Sequence, residues 1–360
     1  MKERMIETAM EPTKLGIIGC GAISGHHLEL ATKSPEVEVV AVADLIEERA
    51  TKAAEKYDVG THYLNDEDLL NDDRIEAVVL AMPVFDRTPV AYKALERGKH
   101  VLIEKPVAAN VADVEKMMAL RGDRVVLCGS CRMGFSGHAA AAMKCVQSGV
   151  LGKIRLVRTR AVHAAPSKPN DEPPLWRESM KLNGGGILVN WSCYEVDYMM
   201  HILGWELKPK TVLANWWPVA DKMSAYAGPG SDADAHFAAF MQCEDDIAFL
   251  MERAEFSSAT TDQAWEIIGT EGTLHLPMVP PDGKPNEVVL DTFVPGKGVV
   301  SETIWEEKDG GETDTDMDNF MRAIREGGKI ATDLERSLVL QNITDAIYAS
   351  ATSGASVSIG

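Results

Sequence analysis

Four polar side chains recur on one face of a predicted helix within residues 183–205 of this 360-residue chain. The helix follows three consecutive glycines, and spacings of four, three and four place the four side chains in one row. Such a row can line a cleft, bind hydroxyl groups and transfer protons, although half-buried groups bonded to nearby backbone would show the same spacing. The row contains an amide, a phenol, a carboxylate and an imidazole: Asn190, Tyr194, Asp197 and His201.

A second chemical candidate is Lys105, in the sequence Glu104-Lys105-Pro106. It directly follows a short apolar run, Val101 to Ile103, which is typical of a buried strand. Proline fixes the chain direction after that strand, so the lysine is expected above the edge of a sheet. Taken alone, a lysine beside a glutamate is more often a solvated ion pair.

A glycine loop near the start of the chain predicts a phosphate-binding turn. The apolar run 14–18 leads into Gly19-Cys20-Gly21-Ala22-Ile23-Ser24, and a helix is expected from His26. Gly19 permits a tight turn and Gly21 lets the backbone approach a pyrophosphate, which the helix N-terminus would also attract. We therefore expect Gly19, Gly21, Ala22 and Ile23 to contact a dinucleotide.

Asp44 follows the second predicted strand, Val37 to Ala43. Its distance from the glycine loop is that of the carboxylate that binds the ribose hydroxyls of a dinucleotide. Because a carboxylate there repels a 2′-phosphate, the sequence favours NAD over NADP, although Arg49 could reach back to offset the repulsion.

Strand-like and helix-like runs alternate through residues 77–128 as well. This alternation predicts an α/β fold with an N-terminal doubly wound, parallel Rossmann sheet. At 360 residues the chain is long enough for two domains. We place an NAD-binding domain at residues 1–131 and a second domain at residues 132–360.

Charge and composition exclude several classes of partner. Lys and Arg number 36 against 55 Asp and Glu, and the formal net charge of −19 disfavours nucleic acid and anionic lipid surfaces. No apolar run is long enough to span a membrane, and the charged start of the chain does not resemble a signal peptide, so a cytoplasmic protein is expected. Cys128 and Cys131 have the spacing of a redox or zinc pair, but a reduced, structural pair is the favoured interpretation, and no metal site is expected.

The glycine loop, Asp44, Glu104-Lys105-Pro106, Trp176-Arg177 and the triple glycine together resemble the Gfo/Idh/MocA oxidoreductases. The resemblance covers nearly the whole chain. It implies a dinucleotide-dependent enzyme that acts on sugars, inositols or related polyols. It also implies that residues 132–360 form a substrate-binding and oligomerisation α+β domain with an open, mostly antiparallel sheet. The resemblance further implies a homo-oligomer, either a dimer or a tetramer.

The chain departs from this family's common pattern at two places. Where the family often has Asp, Gly and His after the triple glycine, this chain has Asn190, Ser192 and Tyr194, which resembles the branch of glucose-fructose oxidoreductase and dimeric dihydrodiol dehydrogenase. The usual Thr-Pro-Asn is replaced by Met82-Pro83-Val84, with Arg87 at the position of a nearby histidine. The resemblance implies that the residues of the second departure and of the Glu-Lys-Pro motif contact the cofactor: Met82, Pro83, Arg87, Glu104 and Lys105.

For the reaction we expect Lys105 and Tyr194 to form the proton-transfer pair, with either group able to serve as the base and Tyr194 favoured. Asn190 and Asp197 would orient the sugar or the phenol. Trp191 could stack on a sugar ring, although tryptophans more often belong to the core. The cleft wall is expected to include Arg132, His163, Trp176 and Arg177.

Two alternative functions stay open at this point. One is a non-catalytic NAD-binding regulator or scaffold of the same fold, and the other is a trans-dihydrodiol dehydrogenase. The presence of both Lys105 and Tyr194 favours an enzyme, because a regulator does not need a matched proton-transfer pair.

Overall fold

The computed structural model describes residues 11–280, 286–309 and 314–360. Residues 1–10, which hold most of the segment predicted not to be a signal peptide, lie outside the described residues. None of the helices in the described ranges is long and apolar enough to cross a lipid bilayer.

The N-terminal half forms a six-stranded sheet in which every pairing is parallel, with the order β3-β2-β1-β4-β5-β6. Its central strands are covered on both faces and therefore read as continuous apolar runs. The strands are β1 (Thr13–Ile18), β2 (Val37–Ala43), β3 (His62–Tyr63), β4 (Ala77–Leu80), β5 (His100–Ile103) and β6 (Val126–Cys128).

Helices cover this sheet, and the carboxyl ends of its strands form the edge at which the glycine loop and the Glu-Lys-Pro segment lie. Three elements of this half are absent from the sequence-based prediction: the two-residue strand β3 and the helices over Glu47–Tyr57 and Asp66–Leu70. The helices are α1 (Ser24–Lys33), α2 (Glu47–Tyr57), α3 (Asp66–Leu70), α4 (Val84–Glu96) and α5 (Val111–Arg121).

The C-terminal half forms a nine-stranded sheet with the order β14-β13-β12-β11-β7-β10-β9-β8-β15. Only the β7–β10 pairing is parallel, so the sheet is mostly antiparallel. Burial alternates along its central strands because helices cover one face. The strands are β7 (Ile154–Ala164), β8 (Pro209–Pro218), β9 (Asp234–Cys243), β10 (Ala248–Ser257), β11 (Asp262–Gly269), β12 (Gly272–Leu276), β13 (Glu287–Val294), β14 (Gly298–Glu306) and β15 (Val357–Ser358).

The predicted helix over residues 183–205 is interrupted in the structure. A short helix ends at Asn183, the glycines form a loop, and a π-helical turn over Leu188–Ser192 precedes the regular helix. The helices of this half are α6 (Gly137–Gln147), α7 (Met180–Asn183), α8 (Cys193–Ile202), α9 (Asp316–Glu326) and α10 (Leu334–Ser353).

These two sheets confirm the predicted fold class. Helix α9 returns to the first sheet, where Met317, Phe320 and Met321 join a core cluster with residues of β1 and β4. The proposed boundary at residues 131 and 132 stays a prediction, and the structure adds that part of the C-terminal segment packs on the nucleotide-binding half.

Candidate active site

The glycine loop is shaped for close approach to a dinucleotide. Gly19 has a φ of +94°, and a Cβ there would lie 2.6 Å from the carbonyl oxygen of Ala81, so the turn needs glycine. A Cβ on Gly21 would meet nothing within 4 Å, which means that open space faces the loop at this point. The backbone at Gly21 can therefore be approached as a bound pyrophosphate requires.

Helix α1 begins directly after this loop without a capping side chain, since its N-cap is Ile23. The N–H groups of its first turn can therefore bind an anion. Asp44 is held nearby, because its carboxylate oxygens accept hydrogen bonds from the backbone N–H groups of Cys20 (2.8 Å) and Ile46 (2.8 Å). The loop, the helix end and the acid together fit a dinucleotide, with Ala22 and Ile23 in the connecting turn.

Arg87 has a different position from the one predicted, and its proposed contact with the cofactor needs correction. It is only 2% exposed, and its guanidinium donates to the carbonyl oxygens of Met82 (2.5 Å) and Pro106. Burial lowers the pKa of Arg87 to about 10. Arg87 thus joins the loops that follow β4 and β5, and Met82 and Pro83 remain at the cofactor edge.

Lys105 and Tyr194 lie together although they come from different halves of the fold. Lys105 follows β5, and Tyr194 lies in the first turn of α8, whose apolar side packs on the second sheet. The Lys105 Nζ atom is 4.9 Å from the centroid of the Tyr194 ring and donates a hydrogen bond to the carbonyl oxygen of Asn190 at 2.6 Å. Burial lowers the pKa of Lys105, which favours a neutral amine.

The hydroxyl of Tyr194 is bonded to Arg132, not to Lys105. Arg132 Nη1 donates to Tyr194 Oη at 2.9 Å, and Tyr194 is 5% exposed. Burial raises the pKa of Tyr194 well above its ordinary value, and the positive charge of Arg132 opposes this rise. The predicted contact between the phenol and a cation is thus made by a residue that the sequence analysis assigned to the cleft wall.

Arg132 is itself held by Glu104 and by Asp316 of α9, at 2.6 and 3.1 Å. Glu104 also accepts from His27 Nε2 of α1 at 2.8 Å if that nitrogen carries the proton. Burial raises the pKa of Glu104, but the hydrogen bond from His27 and the charge of Arg132 outweigh it and keep the pKa low. The sequence analysis missed His27 and Asp316, and neither lies in a motif that could have identified it.

The triple-glycine loop is fastened by Asp234, which is fully buried. Its carboxylate accepts hydrogen bonds from the backbone N–H groups of Gly186 (2.8 Å) and Leu188 (2.8 Å) and from the hydroxyl of Tyr348 (2.6 Å). A Cβ on Gly186 would lie 1.9 Å from the Asp234 carbonyl oxygen, so the contact requires glycine. This contact fixes the turn from which α8 extends.

The predicted polar row does not line a single cleft, and two of its roles need correction. The Asn190 side chain is 5% exposed and donates to the carbonyl oxygen of Arg177 at 2.9 Å, while its backbone oxygen contacts Lys105. Asp197 is 1% exposed and accepts from Ser130 and from Thr332. Both side chains therefore bind protein groups, and neither is free to orient a sugar.

Asp197 instead joins the two halves of the molecule, because Ser130 follows β6 and Thr332 precedes α10. Burial raises its pKa to about 7. His201, the last member of the row, packs near Gly134. Cys128 and Cys131 are buried, and both thiols are free, as are those of the other four cysteines. No three His, Cys, Asp or Glu side chains of the described ranges are grouped so that they could hold a metal ion.

A cavity of about 330 Å³ is lined in part by Trp191, whose ring centroid is 5.8 Å from that of Tyr194. Neither Tyr194 nor Lys105 is among the residues that line this cavity. Trp176 is 37% exposed on the neighbouring loop and is not among the lining residues. The wall includes aromatic and hydrogen-bonding side chains: His163, Arg177, Trp191, Arg253, Gln263 and Trp265.

Both arginines of this wall are paired with carboxylates. Arg177 Nη2 is 2.5 Å from Glu255, and Arg253 Nη1 is 2.8 Å from Glu195 beneath the Trp191 ring. The wall therefore offers hydrogen bonds and aromatic surface rather than an uncompensated positive charge.

Comparison with known proteins gives consistent relatives. The chain is 24% identical to a myo-inositol 2-dehydrogenase of Thermotoga maritima over 263 residues, or 72% of this chain and 74% of that protein. It is 34% identical to an inositol 2-dehydrogenase of Salmonella paratyphi B over 157 residues, which are 42% of this chain and less than half (46%) of that protein. A levoglucosan dehydrogenase solved with NADH superimposes with a TM-score of 0.81 at 21% identity, covering 97% of this chain and 99% of that chain.

The family assignment rests on two sequence models that together match most of the chain. The oxidoreductase-family model with an NAD-binding Rossmann fold matches residues 13–130, and the model of the same family's C-terminal alpha/beta domain matches residues 143–359. The first half is thus an NAD-binding Rossmann domain, and its glycine loop and Asp44 provide the matching geometry. The chain belongs to the Gfo/Idh/MocA family of oxidoreductases.

Proposed function

We propose that this protein oxidises a secondary hydroxyl group of a sugar, glycoside or polyol, with NAD as cofactor and with Lys105 and Tyr194 as the proton-transfer pair. The proposal rests on one observation: these two side chains meet above the carboxyl edge of the NAD-binding sheet. The Lys105 Nζ atom lies 4.9 Å from the centroid of the Tyr194 ring. Separate halves of the fold bring the two side chains there, and Trp191, which neighbours Tyr194, lines a cavity of suitable size for a small ligand.

The reaction needs one acceptor for a hydride and another for a proton. When bound, the nicotinamide of NAD supplies the hydride acceptor. We assign the proton acceptor to the phenolate form of Tyr194, whose oxygen takes the hydroxyl proton and becomes a phenol as the substrate carbon becomes a carbonyl. Lys105 binds the same hydroxyl through Nζ, and its lowered pKa leaves it able to share the proton.

The cavity supports a neutral, polyhydroxylated substrate. Its two arginines are compensated by Glu255 and Glu195, so a phosphate group would find no free guanidinium there. Trp191 offers a ring face beside Tyr194, and Gln263 and His163 offer polar atoms. The named relatives act on inositol and levoglucosan, which are compounds of this chemical class.

Asp44 supports NAD over NADP for the same reaction. Its carboxylate lies at the end of β2 against the glycine loop, where it would repel a 2′-phosphate.

The test follows reduced-nicotinamide absorbance after NAD⁺ and a panel of free sugars, glycosides, inositols and trans-dihydrodiols are added to the purified protein. We expect turnover with at least one compound. Removing a proton-transfer group typically costs about 10²–10⁴-fold in rate, so Tyr194→Phe and Lys105→Met should lose activity on that scale, and Tyr194→Phe should keep its NAD affinity.

Tyr92→Phe is the matched control, because it removes the hydroxyl of a tyrosine that bonds Asp113 away from the site. A protein that binds NAD but oxidises none of the compounds would contradict the proposal and favour a non-catalytic NAD-binding role. Wild-type turnover by Lys105→Met would remove the lysine from the mechanism.

A further inference from the structure

We propose that Arg132 is the positioning residue that holds the Tyr194 hydroxyl and favours its deprotonated form. The inference rests on the proposed function, because it concerns the proton acceptor of that reaction. It gives Arg132 a role different from the substrate contact expected from the sequence.

The hydrogen bond between Arg132 and Tyr194 has only one possible direction. A guanidinium has only donors, so Tyr194 Oη must accept from Arg132 Nη1 across their 2.9 Å separation. The phenol's own proton is then directed away from Arg132 and can be exchanged with a ligand. In the phenolate form the same oxygen accepts a charge-assisted hydrogen bond, which is stronger than a neutral one.

Two carboxylates hold the Arg132 guanidinium in a fixed orientation. Arg132 Nη2 donates to Glu104 at 2.6 Å, and Nε and Nη2 both lie 3.1 Å from Asp316 Oδ2. The Asp316 side chain is fully buried, and Glu104 is held in turn by His27. Three separate elements thus leave Nη1 pointing at the phenol, and the fork geometry that achieves this is specific to arginine.

The charges around Tyr194 favour a phenolate only while Arg132 is present. With Lys105 protonated and the imidazoles and thiol neutral, the groups around the neutral phenol carry three positive and two negative charges. Removing Arg132 lowers the net charge from +1 to 0, so a phenolate would then leave the buried site with an uncompensated negative charge. The groups that interact with Tyr194 are Arg132, Lys105, Arg87, Glu104, Asp316 and Cys193, while His27 bonds Glu104 and His26 lies near Asp316.

Lys105 does not replace this interaction. Its Nζ lies over the ring and donates to the Asn190 carbonyl oxygen, whereas Arg132 contacts the hydroxyl itself. Arg132 consequently bonds the Tyr194 oxygen, and Lys105 remains available to bind the substrate.

The test measures the protonation of Tyr194 directly. A ring-fluorinated tyrosine is incorporated at position 194 of the full chain, and its ¹⁹F resonance is followed against pH in the wild-type, Arg132→Lys and Arg132→Met backgrounds. Because each ring fluorine lowers the pKa of a phenol, a multiply fluorinated ring is used to offset the rise that burial causes. We expect the titration midpoint to rise by about one pH unit or more in Arg132→Met, the size of shift produced by losing one nearby opposite charge.

Arg132→Lys keeps the charge and is included because Arg132→Met leaves two buried carboxylates unpaired and could unfold the protein. We expect a smaller rise in its titration midpoint, and a lower kcat whose pH profile moves to higher pH with KM nearly unchanged. Arg121→Met is the control, since it removes a two-pronged ion pair with Glu335 far from the site.

Unchanged titration midpoints and unchanged pH profiles in both Arg132 variants would overturn the inference. The resonance measurement needs no substrate, so a failure of the proposed function is distinguishable from a failure of the inference. A shifted midpoint in a protein that oxidises no sugar would uphold the Arg132–Tyr194 coupling and contradict only the enzymatic proposal.

Discussion

Asp234→Ala should loosen the segment from which the Tyr194 helix extends. The wild-type carboxylate accepts two backbone N–H groups and one phenol hydroxyl in a fully buried site. A buried donor left without a partner costs about 1–3 kcal/mol. If all three donors lost their partner, the free energy of unfolding would therefore fall by roughly 3–9 kcal/mol. Water entering the vacated space would satisfy part of them, and we expect a loss of about 3–5 kcal/mol in the free energy of unfolding.

Urea denaturation followed by fluorescence measures this loss. With a slope of ~3 kcal/mol per molar urea, the midpoint should fall by about 1 M or more. The urea midpoint of Asp234→Asn should lie between those of the wild type and Asp234→Ala. The amide keeps one acceptor oxygen, but it presents its N–H donors to a backbone N–H. The matched control is Asp221→Ala, at an exposed position, for which we expect no change in midpoint.

Asp234→Ala should also reduce the catalytic activity more than it reduces the affinity for NAD. Gly186 and Leu188 precede the Asn190 carbonyl oxygen that binds Lys105, whereas the glycine loop of the NAD site lies on another element. An Asp234→Ala protein with the wild-type urea midpoint would refute the reasoning, because it would show that the three donors find equivalent partners without the carboxylate.

Three further outcomes test other parts of the site. Asp44→Ala should weaken NAD binding about tenfold, equal to ~1.4 kcal/mol, and should narrow the preference over NADP, as calorimetric titration of both cofactors would show; equal affinity of the variant and wild type for NAD would contradict the ribose contact. Arg87→Met should lower the free energy of unfolding by about 2–4 kcal/mol, because two buried carbonyl oxygens lose their donor, and an unchanged urea midpoint would contradict that role. Burial raises the pKa of Asp197 to about 7, so the folded state binds the carboxyl proton of Asp197 more tightly than the unfolded state does. Between the unfolded pKa near 4 and pH 7 the stability contributed by this group therefore falls as pH rises, by up to a few kcal/mol, and Asp197→Asn should lack that part of the pH dependence in urea titrations.

Local signals explain why the nucleotide-binding half was predictable. The glycine loop needs a φ of +94° at Gly19, and Asp44 and Glu104 each follow a buried strand directly, so a few adjacent residues carry the information. In a parallel sheet all such residues meet at one edge, which is why Lys105 could be placed above it. Helix α2 was not predicted because its buried face consists only of Ala50 and Ala54, and small alanines give a weak periodic signal.

The partners of Tyr194 could not be predicted in the same way. Arg132, Glu104 and Asp316 come from three elements that are up to 212 residues apart in sequence, and only the packing of α9 under the first sheet brings them together. No sequence pattern indicates that packing, because α9 follows eight of the nine strands of the second sheet along the chain. A cation beside the phenol was expected from chemistry, but the expected cation was Lys105.

The polar row shows why a correct spacing led to two incorrect roles. Spacings of four, three and four define one face only on a regular α-helix, and the π-helical turn over Leu188–Ser192 places Asn190 outside that regularity. Helix α8 is also covered on more than one side, since its residues pack on the second sheet while Asp197 reaches Ser130 and Thr332. A polar side chain on a helix packed in this way has to satisfy a buried partner, so the row serves the junction between the two halves. Tyr194 is the exception because Arg132 donates to its oxygen from the side of the NAD-binding sheet, and this interaction favours the phenolate that the proposed proton transfer needs.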